Sequence, residues 1–209
     1  MSERPFIIVG GGGHARVLAS TLRELGKSIL GFTDPNSAAS LGRDLEHLGS
    51  DDALADYAPS EVSLTVGVGS SDDTTRRARL FEEVKSTNFD FPPVVHPDAF
   101  LASETSIRIG SQVMAGAVVQ AGTALAENVI VNTNATIDHD CEVGAHTHVA
   151  PGATVSGEVS LGARVHIGTG ASLIQGVHVG AHSVVGAGAV VIEDLPPNSV
   201  VIGVPAVQK

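Results

Sequence analysis

The sequence predicts an α/β domain followed by an all-β parallel coil. Three observations carry that prediction. A strand, a glycine turn and a helix open the chain; a six-residue aliphatic repeat fills its second half; and every one of the six Phe and the single Tyr falls within the first 100 of 209 residues. Hydrophobic residues make up 43% of the chain but aromatic residues only 3%. The interior must therefore be filled by stacked Val, Ile, Leu and Ala rather than by rings. A chain of this length buries a core without disulfide or metal staples.

Phe6 to Val9 reads as a first strand running into Gly10-Gly11-Gly12-Gly13-His14. Ala15 to Leu25 then has helical apolar spacing, with Val17, Leu18, Leu22 and Leu25 on one side. Ser28 to Phe32, ending at Asp34-Pro35, reads as a second strand and Val62 to Val68 as a third. Thr74 to Lys85 reads as a helix carrying Arg76, Arg77 and Arg79. This alternation implies a small Rossmann-like parallel sheet covered by helices over residues 1–95.

From Leu101 to Val191 every sixth residue is Leu, Ile or Val, without exception. Four places after each of these the residue is usually small or β-branched, as at Ala117, Ala135, Cys141 and Ala153. An aliphatic at the first place of six and a small residue at the fifth describe a short strand followed by a tight corner. Three hexads make a triangular coil, and stacked coils form parallel sheets about 4.8 Å apart around a narrow interior. The recurrent glycines, Gly110, Gly116, Gly122, Gly144, Gly162, Gly168, Gly180 and Gly186, are expected at corners that need positive φ. The repeat lapses at Pro196-Pro197, and a short tail closes a second unit spanning residues 96–209.

The formal net charge is −11 with only 12 Lys and Arg, which leaves no basic stripe for nucleic acid or an anionic membrane. No run approaches the roughly 18 apolar residues of a membrane span. The start Met1-Ser2-Glu3-Arg4-Pro5 lacks a signal-peptide pattern, and the lone Cys141 has no disulfide partner. A soluble, cytoplasmic protein is expected.

Two places carry chemistry. Backbone N–H groups of Gly10, Gly11, Gly12 and Gly13 at a helix start suit an anionic oxygen, although a tight turn alone also uses glycine. Asp34 stands where a dinucleotide fold has its ribose-binding acid. In the coil region His139 lies within Asp138-His139-Asp140, seven residues after Asn132. A carboxylate beside an imidazole raises its basicity and suits a general base, and His148 is expected to converge on the same cleft. The other coil histidines, His146, His166, His178 and His182, read as corner residues, and Zn held between histidines is the rival use. No ligand-spaced pair of histidines on a coil edge is found, so no metal is assigned. Cys141 occupies a small-residue place, where burial is its expected role.

With these motifs in hand, the chain resembles the bacterial hexapeptide-repeat nucleotide-sugar acetyltransferases. These are the UDP-4-amino-sugar N-acetyltransferases of bacillosamine-type pathways and the related sialic acid O-acetyltransferases. The resemblance rests on Gly10 to His14, on Gly31-Phe32-Thr33-Asp34, on the run from Asn132 through Asp140 and on Gly203-Val204-Pro205-Ala206, and it spans nearly all of the chain. It implies a left-handed coil, against the usual right-handed crossover rule, and a homotrimer with active sites between subunits. It further implies acetyl-CoA as cosubstrate and a nucleotide-linked amino sugar, UDP- or GDP-linked, as acceptor. The roles implied are His139 as general base with Asp140 supporting it, Asn132 and His148 lining the site, and the Gly157 N–H donating to the thioester carbonyl. Gly168, Thr169 and Ala187 fall on the pantetheine side. The glycine loop, His14, Asp34, Gly69 and Ser70 fall on the nucleotide-sugar side. Two departures stand out. Gly69-Ser70-Ser71-Asp72-Asp73 replaces the Gly-Asn-Asn of many relatives, and Val207-Gln208-Lys209 stands where a Lys commonly follows the Ala, so a contact to the CoA phosphates is either missing or supplied by Lys209. The competing expectations are sugar O-acetylation, a Zn-dependent hydratase on the same coil, and a non-catalytic nucleotide-sugar scaffold.

Overall fold

The structure, a computed structural model, describes residues 4–42, 44–70 and 73–209; Ser71 and Asp72, in the segment that departs from the relatives, lie outside the described residues. The N-terminal unit is a four-stranded parallel sheet in the order β3-β2-β1-β4, with β1 Phe6–Val9, β2 Ile29–Thr33, β3 Glu46–Gly49 and β4 Ser63–Val66. Strand alternation splits β1 between two cores. Phe6 and Ile8 meet α1 (Gly13–Glu24), while Ile7 and Val9 meet α2 (Thr75–Lys85) through Phe81 and Val84. Val17 departs from the expected buried stripe. It is 41% exposed, and Ala15, Leu18, Ala19 and Leu22 form the packed face. The edge strand β3 and a 3-10 turn at Asp51–Asp56 had no sequence signal, since neither is apolar and β3 is only partly buried.

The second unit is a left-handed parallel β-helix, its strands two residues long except Val200–Ile202; its three sheets contain five, eight and six strands, the eight including an antiparallel terminal strand, Val207–Gln208. Residues eighteen apart stand in register, as Ala124 with Glu142 and Thr136 with Thr154. The aliphatic of each hexad is the second residue of its strand, and from Val113 to Val191 these side chains are at most 3% exposed. Each fully buried one contributes about 1.5–3 kcal/mol, so the ladder supplies most of the coil's stability. The fifth-place residues have a second role. The hydroxyls of Ser111, Thr123 and Thr147 donate across to the carbonyls of Ala126, Asp138 and Gly162 at 2.7, 2.7 and 2.9 Å, tying corners together. Cys141 sits in the same place, buried, with its thiol pushed up chiefly by desolvation, which makes it unreactive.

The expectation for the glycines requires a correction. Of the eight, only Gly110, Gly116 and Gly122 have positive φ. The left-handed corner recurs every six residues, but further on it is often occupied by Asn128, Asn134, Asp140, His146, Glu158, Arg164 or His182. Gly144, Gly162, Gly168 and Gly180 are glycines for another reason: a Cβ on any of them would lie 2.3–2.6 Å from backbone atoms of the next coil. Gly186 is likewise closed, by the Ile202 side chain at 2.7 Å.

The two units dock along one coil sheet. Its Val94 and Met114 join the α1 core, and Gly110 leaves room for the Phe81 ring. Val94–Val95 already pairs with Gln112–Val113, so the coil's first strand precedes residue 96. At the top, Val200–Ile202 continues the same sheet above Val184–Val185.

Candidate active site

The glycine loop follows β1 and opens α1. Gly10 has φ +108° and faces Val68 too closely for a side chain, while nothing approaches within 4 Å of the places where Cβ atoms of Gly12 and Gly13 would lie. The helix start is thus open to a ligand, and no acidic residue in its first turn offsets its partial positive charge. Asp34, at the end of β2, accepts the Gly11 N–H at 2.7 Å and the Asn36 N–H at 2.8 Å, so its carboxylate shapes the loop. A 210 Å³ cleft beside the loop is lined by Gly10, Asp34, Asp51, Arg76 and Arg79. The two arginines were visible in sequence as helix residues, but only the fold turns them toward the sheet's C-terminal edge.

His14 and Ser70, expected on the nucleotide-sugar side, hydrogen-bond to the coil. Gln112 donates through Nε2 to the Thr65 hydroxyl and the Val66 carbonyl, both at 3.0 Å. That fixes its amide and presents Oε1 to His14 Nε2 at 2.7 Å. Burial first, then the charge of Arg77, pushes His14 down to about 4 against the raising effect of Gln112, so its imidazole is neutral. Gly69 packs against His14. Ser70 reaches His148 Nδ1 at 2.7 Å and His166 Nδ1 at 3.2 Å.

Ser70, His148 and His166 also line a cleft of about 690 Å³ that runs up the coil. Asn132, His148, Ser70 and His166 form its polar end. Gly168, Thr169 and Ala187 lie on one side, with Val184, Val200, Ile202 and Lys209 at the far end. Asn132 Nδ2 lies 3.0 Å from His148 Nε2. His148 is held well below the ordinary imidazole value by burial, then by the charges of His166, His14 and Arg77, against a raising contribution from the Ser70 backbone.

His139 stands elsewhere. It occupies the corner between the strands Thr136–Ile137 and Glu142–Val143, which belong to the two sheets other than that of His148. His139 and Asp140 do not line the cleft with Asn132 and His148, so the expected convergence is not formed within this chain. Their own geometry is well defined. Asp140, with φ +54°, places Oδ2 3.0 Å from His139 Nδ1, and Asp138 Oδ1 accepts the His139 N–H at 2.8 Å. The Asp140 hydrogen bond is the main cause of a raised His139 pKa; desolvation opposes it, and the charges of Asp138, Asp140 and Glu158 add smaller raising contributions. Glycines make room on both sides. A Cβ on Gly157 would lie 2.5 Å from His139 Nε2, and one on Gly122 would lie 2.2 Å from Asp140 Oδ1. The result is an exposed imidazole, paired with a carboxylate, whose outer nitrogen lies beside Gly157.

One group among the described residues has the composition of a metal site: Glu82, Glu127 and His146. Its cation is already present. Lys85 Nζ lies 2.5 Å from Glu127, and His146 Nε2 lies 3.3 Å from Glu82 Oε1. The group joins α2 to the coil. Among the described residues, no helix is long and apolar enough to cross a membrane.

A parallel β-helix carrying a histidine–carboxylate pair, joined to a small Rossmann-like domain with an open glycine loop, defines a hexapeptide-repeat acyltransferase of the nucleotide-sugar type. Residues 5–84 match the family described as the PglD N-terminal domain. The acetyltransferase domain of PglB from Neisseria gonorrhoeae FA1090, solved with acetyl coenzyme A, is 38% identical, with each chain covered over 100% and a TM-score of 0.94. PerB from Caulobacter crescentus, solved with CoA and GDP-perosamine, is 35% identical over 100% of this chain and 98% of its own, at a TM-score of 0.92. WeeI from Acinetobacter baumannii AYE shares the fold at 19% identity and a TM-score of 0.88. The chain belongs to the hexapeptide-repeat nucleotide-sugar N-acetyltransferases.

Proposed function

We propose that the protein transfers an acetyl group from acetyl-CoA to the amine of a nucleotide-linked 4-amino sugar, UDP- or GDP-linked, within the cytoplasm. The observation that carries the reading is His139: an exposed imidazole made more basic by Asp140, with its Nε2 against the Gly157 backbone. Amine attack on a thioester needs a proton acceptor at nitrogen and a donor at the developing oxyanion. His139 serves as the acceptor and the Gly157 N–H as the donor, so no covalent enzyme intermediate is needed.

Residues 1–95 hold the nucleotide through Gly10 to Gly13 at the α1 start, with Asp34 and Gly69 shaping the loop and His14 and Ser70 setting its position against the coil. Residues 96–209 hold acetyl-CoA, with pantetheine along Gly168, Thr169 and Ala187 and the phosphates near Lys209. The separation of His139 from Asn132 and His148 supports a homotrimer, in which His139 and Asp140 of one protomer face the cleft of its neighbour. The PerB complex with GDP-perosamine supports a nucleotide amino sugar as acceptor, and the PglB complex supports acetyl-CoA as donor.

A thiol-release assay with acetyl-CoA across UDP-, GDP- and dTDP-linked 4-amino sugars tests this directly. One of them is expected to release CoA and yield an amide that survives mild alkali. An alkali-labile product means O-acetylation. Stoichiometric Zn without CoA binding means a hydratase, and nucleotide binding without consumption of acetyl-CoA means a scaffold. In the same assay His139→Ala is expected to lower kcat by about 10²–10⁴-fold while nucleotide-sugar binding persists; unchanged turnover removes His139 as the base.

A further inference from the structure

We propose that the cleft beside the glycine loop is a guanine pocket with Asp51 as its specificity-determining residue, so that the acceptor sugar is carried on guanosine diphosphate. The inference rests on the acetyltransferase reading for the sugar and its fate. The choice of base rests on the lining of the cleft.

The 210 Å³ cleft is bounded by Gly10 and Asp34 at the loop and by Asp51 and α2 beyond it. A diphosphate seated at the open α1 start, with its nucleoside directed over Asp34, delivers the base into this space. Val68 and Leu80 give the ring an apolar wall.

Three carboxylates reach the cleft, and two of them are already committed. Both oxygens of Asp34 accept backbone N–H groups, from Gly11 at 2.7 Å and from Asn36 at 2.8 Å. Glu83 accepts the Arg79 Nε–H at 2.7 Å. Asp51 remains. The buried Thr33 hydroxyl, at the end of β2, donates to its Oδ1 at 2.5 Å, and among the described residues no side chain or backbone group engages Oδ2. The carboxylate is therefore anchored through one oxygen and keeps acceptor capacity for a ligand. On another wall stand Arg76 and Arg79, neighbours three residues apart on α2. Arg79 uses only Nε on Glu83, which leaves its two terminal nitrogens as a fork of donors.

A carboxylate and a guanidinium around one ring select by hydrogen-bond pattern. Guanine carries two donors, N1–H and the N2 amine, on one edge and two acceptors, O6 and N7, on the next. A carboxylate accepts the first pair and an Arg fork donates to the second, each as a bidentate contact. Uracil and thymine alternate acceptor, donor, acceptor along their pairing edge, so a carbonyl oxygen would be pressed against the Asp51 carboxylate. Adenine would turn its N6 amine toward the arginines. Only guanine satisfies both walls.

Calorimetric titration with GDP, UDP, dTDP and ADP, in the absence of sugar and acetyl-CoA, tests the pocket apart from the reaction. GDP is expected to bind at least about tenfold more tightly than the other three; UDP or dTDP binding as tightly as GDP overturns the proposal. Asp51→Asn replaces an acceptor oxygen by a donor amide. It is expected to weaken GDP about 5- to 150-fold and to strengthen xanthosine diphosphate, whose C2 carbonyl stands where guanine has its amine. A damaged fold would weaken both ligands, so the gain for xanthosine diphosphate isolates the base contact. Unchanged GDP binding, or an equal loss for every nucleotide, removes Asp51 from the role. Selective GDP binding without acetyl transfer to any GDP-linked 4-amino sugar would count against the proposed reaction and leave the pocket standing. Transfer to a UDP-linked sugar in preference to its GDP-linked counterpart would uphold the reaction and overturn the pocket.

Discussion

At the scale of single residues, the site contrasts two histidines in opposite environments. His139 is exposed and raised by its Asp140 partner; His148 is buried and lowered. A general base works in its unprotonated form, so the rate should fall as pH drops through the His139 pKa, with a midpoint above the ordinary 6.5. Asp140→Asn removes the largest cause of the shift. It should move the acid limb of the kcat/KM profile to lower pH and reduce the plateau, and an unmoved limb would assign that titration to another group. Gly157→Ala is expected to abolish most activity with little loss of stability, since its Cβ would lie 2.5 Å from a solvent-exposed ring that can swing away. The dyad was legible in sequence because its partners are adjacent. The roles of His14, Gln112 and His166 were not, because their partners lie dozens of residues away and only docking brings them together.

At the scale of elements, the hexad repeat was legible in full because the first place of each hexad fills a narrow interior and is always Val, Ile or Leu. The two duties of glycine were not, since a residue free to take positive φ and one pressed against the next coil read the same in sequence. They should differ in stability. Gly162→Ala puts a Cβ 2.5 Å from the Ala181 nitrogen and should cost about 1–3 kcal/mol or more. Gly152→Ala meets nothing within 4 Å and bears only the strain of φ +67°, about 1 kcal/mol. Urea denaturation midpoints of the two variants check the order. β3 escaped detection because an edge strand of Glu46, His47, Leu48 and Gly49 has neither alternation nor a β-branched run.

At the scale of the whole molecule, two joints matter. The first binds the domains through Gln112, whose amide serves His14, Thr65 and Val66 together. Gln112→Leu leaves these groups unpaired and should cost about 1–3 kcal/mol per buried group, visible as a lower Tm and weaker nucleotide-sugar binding. The second is the proposed contact between protomers. If each centre draws His139 from one chain and Asn132 from the next, co-refolding equal amounts of His139→Ala and Asn132→Ala should recover about a quarter of the wild-type rate by random assortment. Recovery of nothing would place both residues in one chain's centre.

The left-handed corner that recurs every six residues from Gly110 to Gly188 has a consequence for redesign. A fold in which Asn, Asp, His, Glu and Arg all take that backbone conformation offers a rack of interchangeable sockets. Asp140 fills one of them, and the socket one coil higher already holds Glu158 next to Gly157. The histidine–carboxylate pair is therefore a cartridge: its address along the column is set by which rung carries the histidine, and a transplanted pair would keep its internal geometry while facing a different stretch of the coil.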